Sequence, residues 1–214
     1  MRIGLYGGTF DPIHWGHLRS AEEAREAYGL DRVLFIPAAN PPHKKRQPAP
    51  ARSRAHMLRL AIANDRHFGL STVELKRSGK SYTVDTLRYF TARKPRTDSY
   101  YFIVGLDAFL EIDSWKDFRE LFSLCNFIVT SRPGTEHVFS LKSIPIAVRE
   151  LFCYVEKQRA YRHRSGTSLS FLRITDIAIA ASEIRERVAN KKSIRYLVPA
   201  EVEAYIGRCR LYRR

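Results

Sequence analysis

Two histidines three residues apart, His14 and His17, follow a glycine pair in the stretch Gly7-Gly8-Thr9-Phe10-Asp11-Pro12-Ile13-His14-Trp15-Gly16-His17. At that spacing two imidazoles share one face of a helical turn. Glycines let a backbone approach a ligand closely and adopt positive φ without strain. A helix N-terminus adds free N–H groups and a partial positive charge, which suits phosphate. The turn Gly7, Gly8, Thr9, Phe10 with His14 and His17 therefore reads as a triphosphate site. The spacing departs from G-x-G-x-x-G and lacks a P-loop lysine, so neither of those sites is supported. A packing pair of imidazoles and a metal site are the competing readings. Zinc is poorly supported, because only Asp11 and the more distant His43 could add ligands and no cysteine lies near.

The elements that must position these residues can be read in order. Ile3–Tyr6 is a short apolar run, hence a strand, and Asp11-Pro12 is a turn signal. A helix starts near Gly16, carries Leu18, Ala21, Ala24 and Tyr28 on one face, and stops at Gly29. Arg32–Ile36 is the next strand, followed by a proline-rich loop, 37–45, that contains Asn40, His43 and Lys44. In open α/β sheets that end of a strand is the ligand edge. Residues 51–64 form an amphipathic helix with Met57, Leu58, Ala61 and Ile62 inward, and Thr72–Leu75 reads as a short strand.

Thr83 is placed to cap a helix with Val84, Leu87 and Phe90 inward, ended by Lys94-Pro95. Tyr100–Val104 is a buried strand running into Gly105 and Asp107; an Asp there accepts from ribose hydroxyls or caps the next helix. Trp115 is a core residue or an aromatic face for a flat ligand. Asn126–Thr130 is a strand leading to Arg132, which reaches a phosphate or pairs on the surface. Residues 135–150 read as irregular or weakly helical, Leu151–Val155 as a late strand, 156–170 as a polar basic loop, and Ile174–Ile179 as a further strand. Ser182 is the expected N-cap of a helix with Arg185 one turn on, and Pro199 starts a last helix that Gly207 stops. Strands alternating with helices imply a parallel sheet with helices on both faces.

The string Gly7–His17 matches G-G-x-F-D-P-x-H-x-G-H of the nucleotidylyltransferase superfamily and resembles most closely the nicotinate-nucleotide adenylyltransferases. Asn40–Lys44 is similar to their N-x-P-P-H-K segment, Ser81–Leu87 to S-Y-T-x-D-T-L, Gly105–Ala108 to G-x-D-[SA], and Ile179–Arg185 to I-S-[SA]-[ST]-x-I-R. Ala180 departs from the last pattern, where serine is common. The resemblance implies a single Rossmann-like nucleotidyltransferase domain over 1–214, with a C-terminal helical part from about residue 182. It also implies adenylyl transfer from ATP to nicotinate mononucleotide, giving nicotinate adenine dinucleotide and pyrophosphate in NAD biosynthesis. His17 would stabilise the α-phosphate; His14 and Arg185, with Ser182, would hold the β- and γ-phosphates. Gly7, Gly8, Thr9, Phe10, Lys44, Gly105 and Asp107 would contact ATP, and Asn40, Thr83, Trp115 and Arg132 the pyridine nucleotide.

The attacking group would be a phosphate monoester with a second pKa of about 6, already mostly ionised at neutral pH, so no general base is required. The work left is to align two polyanions and stabilise charge at the α-phosphorus and the leaving pyrophosphate. Mg²⁺ is the expected cofactor, carried by ATP without an all-protein cage.

The chain has 214 residues, 44% hydrophobic and 28% charged, which fits one α/β domain with a full core. No run reaches membrane-span length and no signal peptide is expected, and Cys125, Cys153 and Cys209 form no metal or redox motif, so a cytoplasmic protein is the reading. The formal net charge of +15 fits polyanionic substrates; nucleic acid is not expected as a partner, because no binding motif accompanies the charge. A homo-oligomer is left open. The runner-up readings are another acceptor, such as nicotinamide mononucleotide or phosphopantetheine, a cytidylyl transfer, or a non-catalytic nucleotide- or nucleic-acid-binding protein.

Overall fold

The computed structural model describes residues 1–42, 47–93, 95, 97–131, 144–158 and 160–213. Among the described residues, eight strands form one sheet: β1 (Arg2–Gly8), β2 (Arg32–Pro37), β3 (Phe68–Leu70), β4 (Ser99–Gly105), β5 (Asn126–Thr130), β6 (Phe152–Val155), β7 (Ala160–His163) and β8 (Ser168–Leu172). Their spatial order is β3-β2-β1-β4-β5-β8-β7-β6. From β3 to β8 every neighbouring pair is parallel, and β7 and β6 then add on antiparallel. The expected parallel sheet is thus the first six strands, with a meander appended at one side.

Alternation along the central strands sends side chains to two faces, because successive Cβ atoms point to opposite sides of a pleat. Leu5, Phe102, Val104, Phe127 and Val129 join one buried core, under α3 (Thr83–Thr91), α4 (Leu106–Leu110) and α5 (Phe118–Leu124). Tyr6, Phe35, Ile103 and Ile128 join the other, with residues of α1 (Trp15–Ala27), α2 (Ala51–Ala61), α7 (Ala181–Ala189) and α8 (Ala200–Arg208). The short α6 (Ile146–Arg149) lies between β5 and β6 in sequence. The connection after β1 therefore goes to one face and the connection after β4 to the other. Since β1 and β4 are neighbours, the crevice between their C-terminal ends is a topological switch point, where ligands bind in open α/β sheets.

Several expectations need correction. Thr72–Leu75 is not a strand; the edge strand is β3, and Glu74–Lys76 is a 3-10 turn whose Val73 and Glu74 are buried. The stretch 156–170 is not a loop: it contains β7 and the start of β8. Tyr161 pairs with Tyr154 and His163 with Phe152 there, while Arg162 and Arg164 are exposed. The basic residues masked a period-2 alternation. Ile174–Ile179 is not a strand, because its predecessor β8 already occupies the edge of β5; the segment instead runs beside α1, where the Thr175 N–H donates to Glu23. Gly207 lies inside α8 and does not stop it; Cys209 is the C-cap. Helix α1 does end as expected, with Tyr28 as C-cap and Gly29 at φ +55°, a conformation glycine adopts cheaply.

Candidate active site

The C-terminal ends of β2, β1 and β4 deliver three of the expected segments to one edge: Asn40 after β2, Gly7–Phe10 after β1, and Gly105–Asp107 after β4. The positive φ expected at the glycines is not found there. Neither Gly7 nor Gly8 has positive φ; a Cβ on Gly8 would meet the Phe10 ring at 2.9 Å. The positive φ belongs to Phe10, at 49°, and its ring is buried edge-on against Tyr6 and Phe35. That ring locks the turn from below. The Asp11-Pro12 peptide bond is cis.

His14 is the N-cap of α1 and His17 lies in its first turn, donating its backbone N–H to the His14 carbonyl. Their rings stack with centroids 3.7 Å apart. Phe10 lies edge-on to His17, centroids 5.1 Å apart. His14 is buried and His17 half-buried, so the pair is held by packing at the mouth of the helix.

Arg185 reaches this turn from α7. Its guanidinium donates to the Asp11 carbonyl at 2.7 Å and stands 3.8 Å from the Asp11 carboxylate. Ser182 is not the N-cap: Ala180 is, and no side chain caps the helix. Ser182 is the second residue of α7 and exposed. Thr83 likewise opens α3 as its first residue, after Tyr82 as N-cap with no side-chain cap bond. Asp107 sits exposed in the first turn of α4, behind Gly105 as N-cap. Lys44 and Arg132 lie outside the described residues.

Asn40 and the lead-in to Thr83 are braced together. Ser81 Oγ accepts from the backbone N–H groups of Ala39 and Asn40, and its own N–H donates to the Asn40 carbonyl. The loop after β2 is thereby tied to the lead-in of α3. Trp115 is half-buried, with its ring edge-on to Phe102 at 6.4 Å, so it is partly core. Lys116 beside it lies over the Tyr82 ring and 3.7 Å from Asp85, joining the Trp115 segment to the start of α3.

Three residues went unread in the sequence. Arg54 is fully buried and donates to the carbonyls of Thr9, Ala38, Ala39 and Ala49. Burial pulls its guanidinium below the ordinary arginine range, opposed by the Asp11 carboxylate. Its signal was available: it stands three and four residues before Met57 and Leu58, on the apolar face of α2, where a charge has no reason to be unless it is used. Glu74 is buried, accepts from Thr86 Oγ1 at 2.6 Å, and is pushed up by desolvation, with hydrogen bonds from Thr86 and Ser81 opposing. Tyr212 donates to Asp11 Oδ1 at 2.8 Å. Nothing local in the sequence pairs positions 201 apart.

Among the described residues, no group of three or more His, Cys, Asp or Glu gathers to hold a metal ion. No helix among them is long and apolar enough to cross a membrane.

Residues 5–193 match the model of the cytidylyltransferase-like family. A probable nicotinate-nucleotide adenylyltransferase of Geobacter sulfurreducens is 45% identical over 99% of this chain and 98% of its own. One from Trichlorobacter lovleyi is 48% identical over 99% of both. The Plasmodium falciparum nicotinic acid mononucleotide adenylyltransferase, solved in complex with NaAD, superposes with a TM-score of 0.76 at 20% identity, covering 99% of this chain and 97% of its own; that likeness is one of fold.

Proposed function

The chain belongs to the nicotinate-nucleotide adenylyltransferase family of nucleotidyltransferases, and we propose that it transfers the adenylyl group of ATP to nicotinate mononucleotide, releasing pyrophosphate. The observation that carries this reading is the convergence, at one switch point, of the stacked His14–His17 pair, Arg185 docked on Asp11, and the braced Asn40 and Thr83 segments. We read residues 1–214 as one nucleotidyltransferase domain.

The acceptor phosphate attacks the α-phosphorus in line. That phosphate is its own nucleophile, so the protein supplies position and charge stabilisation rather than a base. His17 donates to the α-phosphate as charge builds. His14, Arg185 and the first-turn amides of α7 at Ser182 receive the β- and γ-phosphates. Gly7, Gly8, Thr9, Phe10, Gly105 and Asp107 shape the nucleotide side, and Asn40, Thr83 and Trp115 the pyridine side. Lys44 and Arg132 are assigned to the nucleotide and the acceptor respectively on the sequence resemblance.

Mg²⁺ is the proposed cofactor. The imidazoles, the guanidinium and the helix amides assigned here are donors to phosphate oxygens, so the ion would arrive with the nucleotide. The chemistry it would supply is charge neutralisation on the triphosphate and on the leaving pyrophosphate.

The test is pyrophosphate release from ATP and Mg²⁺ with nicotinate mononucleotide or nicotinamide mononucleotide offered separately. Turnover preferring the acid supports the proposal; no turnover with the acid sinks it.

A further inference from the structure

The last described residues form a strained turn that ends against the first motif. After α8, the Leu211 N–H donates to the Ile206 carbonyl and the Arg210 N–H to that of Gly207. Arg210 and Tyr212 both adopt positive φ, 51° and 62°, a region that costs non-glycine residues energy and persists only where surroundings enforce it. Leu211 and Tyr212 pack against the core beneath α1, α2 and α8. That packing delivers the Tyr212 hydroxyl to Asp11 Oδ1 at 2.8 Å.

Asp11 is the point where four segments meet. Its Oδ1 also accepts from the Ala49 N–H, at the start of the turn into α2. Its carbonyl takes the Arg185 guanidinium, and Arg54 holds the Thr9 carbonyl two residues earlier. Of these donors only Tyr212 comes from the C-terminal turn. A phenol suits the post: burial and the adjacent Asp11 carboxylate drive its ionisation far up, so it stays a donor at any working pH.

We infer that Tyr212 is a positioning residue for ATP: its hydroxyl holds Asp11, and through Asp11 the Gly7–His17 turn and the Arg185 guanidinium, in the shape that receives the triphosphate. The inference rests on reading that turn as the triphosphate site. Tyr212 acts through Asp11 rather than on the substrate. The Tyr212 contact is made at the Asp11 end of this network, whereas the Ala38–Asn40 loop is held by Ser81 as well as by Arg54, so the larger effect falls on ATP.

Tyr212→Phe keeps the packed ring and removes one hydroxyl. The experiment measures binding of ATP·Mg²⁺ by calorimetry, with no acceptor present, and then steady-state constants for both substrates. The expected result is ATP affinity weakened about tenfold, within the range for one hydrogen bond to a charged group, with a raised KM for ATP, an unchanged KM for nicotinate mononucleotide and a thermal midpoint lowered by only a few degrees. The penalties of Tyr212→Phe and Asp11→Ala on ATP binding should add to less than their sum in the double variant, because both remove the Tyr212–Asp11 contact. Unchanged ATP binding overturns the inference, as does an equal loss for both substrates together with a larger fall in the midpoint, which would mark the turn as structural only. A wild type that binds ATP yet releases no pyrophosphate with the acid would sink the functional reading alone, and the binding comparison would still judge Tyr212.

Discussion

The imidazoles of His14 and His17 lie 3.7 Å apart, centroid to centroid, and 31° from coplanar. Each ring is a wall of the other's position. His17→Ala is expected to lower kcat by about 10²–10³, the typical loss of one donor aimed at developing charge. His14→Ala should cost less than the α-phosphate donor itself, and the double variant should fall well short of the product of the two single losses, because residues that act as a unit are not additive. Steady-state rates of the three variants decide this, and a near-normal rate for His17→Ala removes that residue from the chemistry.

Arg54 joins the loop after β1 to the loop after β2 from inside the protein. Arg54→Ala leaves buried carbonyls of Thr9, Ala38 and Ala49 without their donor, and breaking such a buried network costs about 3–5 kcal/mol. For a chain of this size the thermal midpoint should fall by roughly 10 °C. Arg54→Lys keeps the charge but not the planar fork, so it should recover only part of the loss. Calorimetric melting of the two variants checks both statements.

Glu74 gives a pH signature of a definite sign. Its carboxyl is raised above the reference value of 4.5, chiefly by burial. The folded state therefore holds the proton more tightly than the unfolded chain, and Glu74's stabilising contribution is full below about pH 4.5 and lost as pH climbs through the folded value. Glu74→Gln removes this dependence. The difference in thermal midpoint between variant and wild type should shift in the variant's favour as pH rises from 4 to 8; a constant difference would show that Glu74 does not titrate this way.

Trp115 is proposed to stack on the pyridine ring, and α3 is fixed against its segment by Lys116 and by Arg88, which pairs with Asp85, Asp117 and Glu120. Trp115→Ala should raise the KM for nicotinate mononucleotide about tenfold, in line with 1–3 kcal/mol for a base stacked on an aromatic side chain, and leave the KM for ATP unchanged. Trp115→Phe should restore most of the binding. If Trp115→Ala affects both substrates equally, the residue is core only, through its contact with Phe102.

The central strands were legible because they are continuous apolar runs bounded by glycine and proline: Asn126–Thr130 is found at its expected bounds, and β1, β2 and β4 within two residues of theirs. The stretch Gly7–His17, proposed to carry the chemistry, stands out in the sequence because its glycines, proline and histidines are dense and local. What could not be read was anything held at long range. Ser182 and Thr83 were expected to cap by side chain, but extended backbone at Ala180 and Tyr82 places the boundary one or two residues earlier. Strand β6 lies within the expected Leu151–Val155, whereas β7 and the start of β8 hid behind surface arginines. Arg54 is marked in the sequence by its place on the apolar face of α2 but shows its partners only in the fold, and Tyr212 discloses its role only when the carboxylate it serves is folded against it.

The residues proposed for the triphosphate and those proposed for the acceptor are rooted in different cores, on opposite faces of one sheet. His14, His17 and Arg185 stand on α1 and α7; Thr83 and Trp115 stand on α3 and the turn before α5. Substitutions that reshape one layer reach the other through the sheet between them and through the Arg54 bridge between the loops after β1 and β2. Such a chain can drift toward a new acceptor while keeping the transfer step intact, so diversification of substrate and preservation of reaction are separate heritable problems, solved in separate hydrophobic compartments.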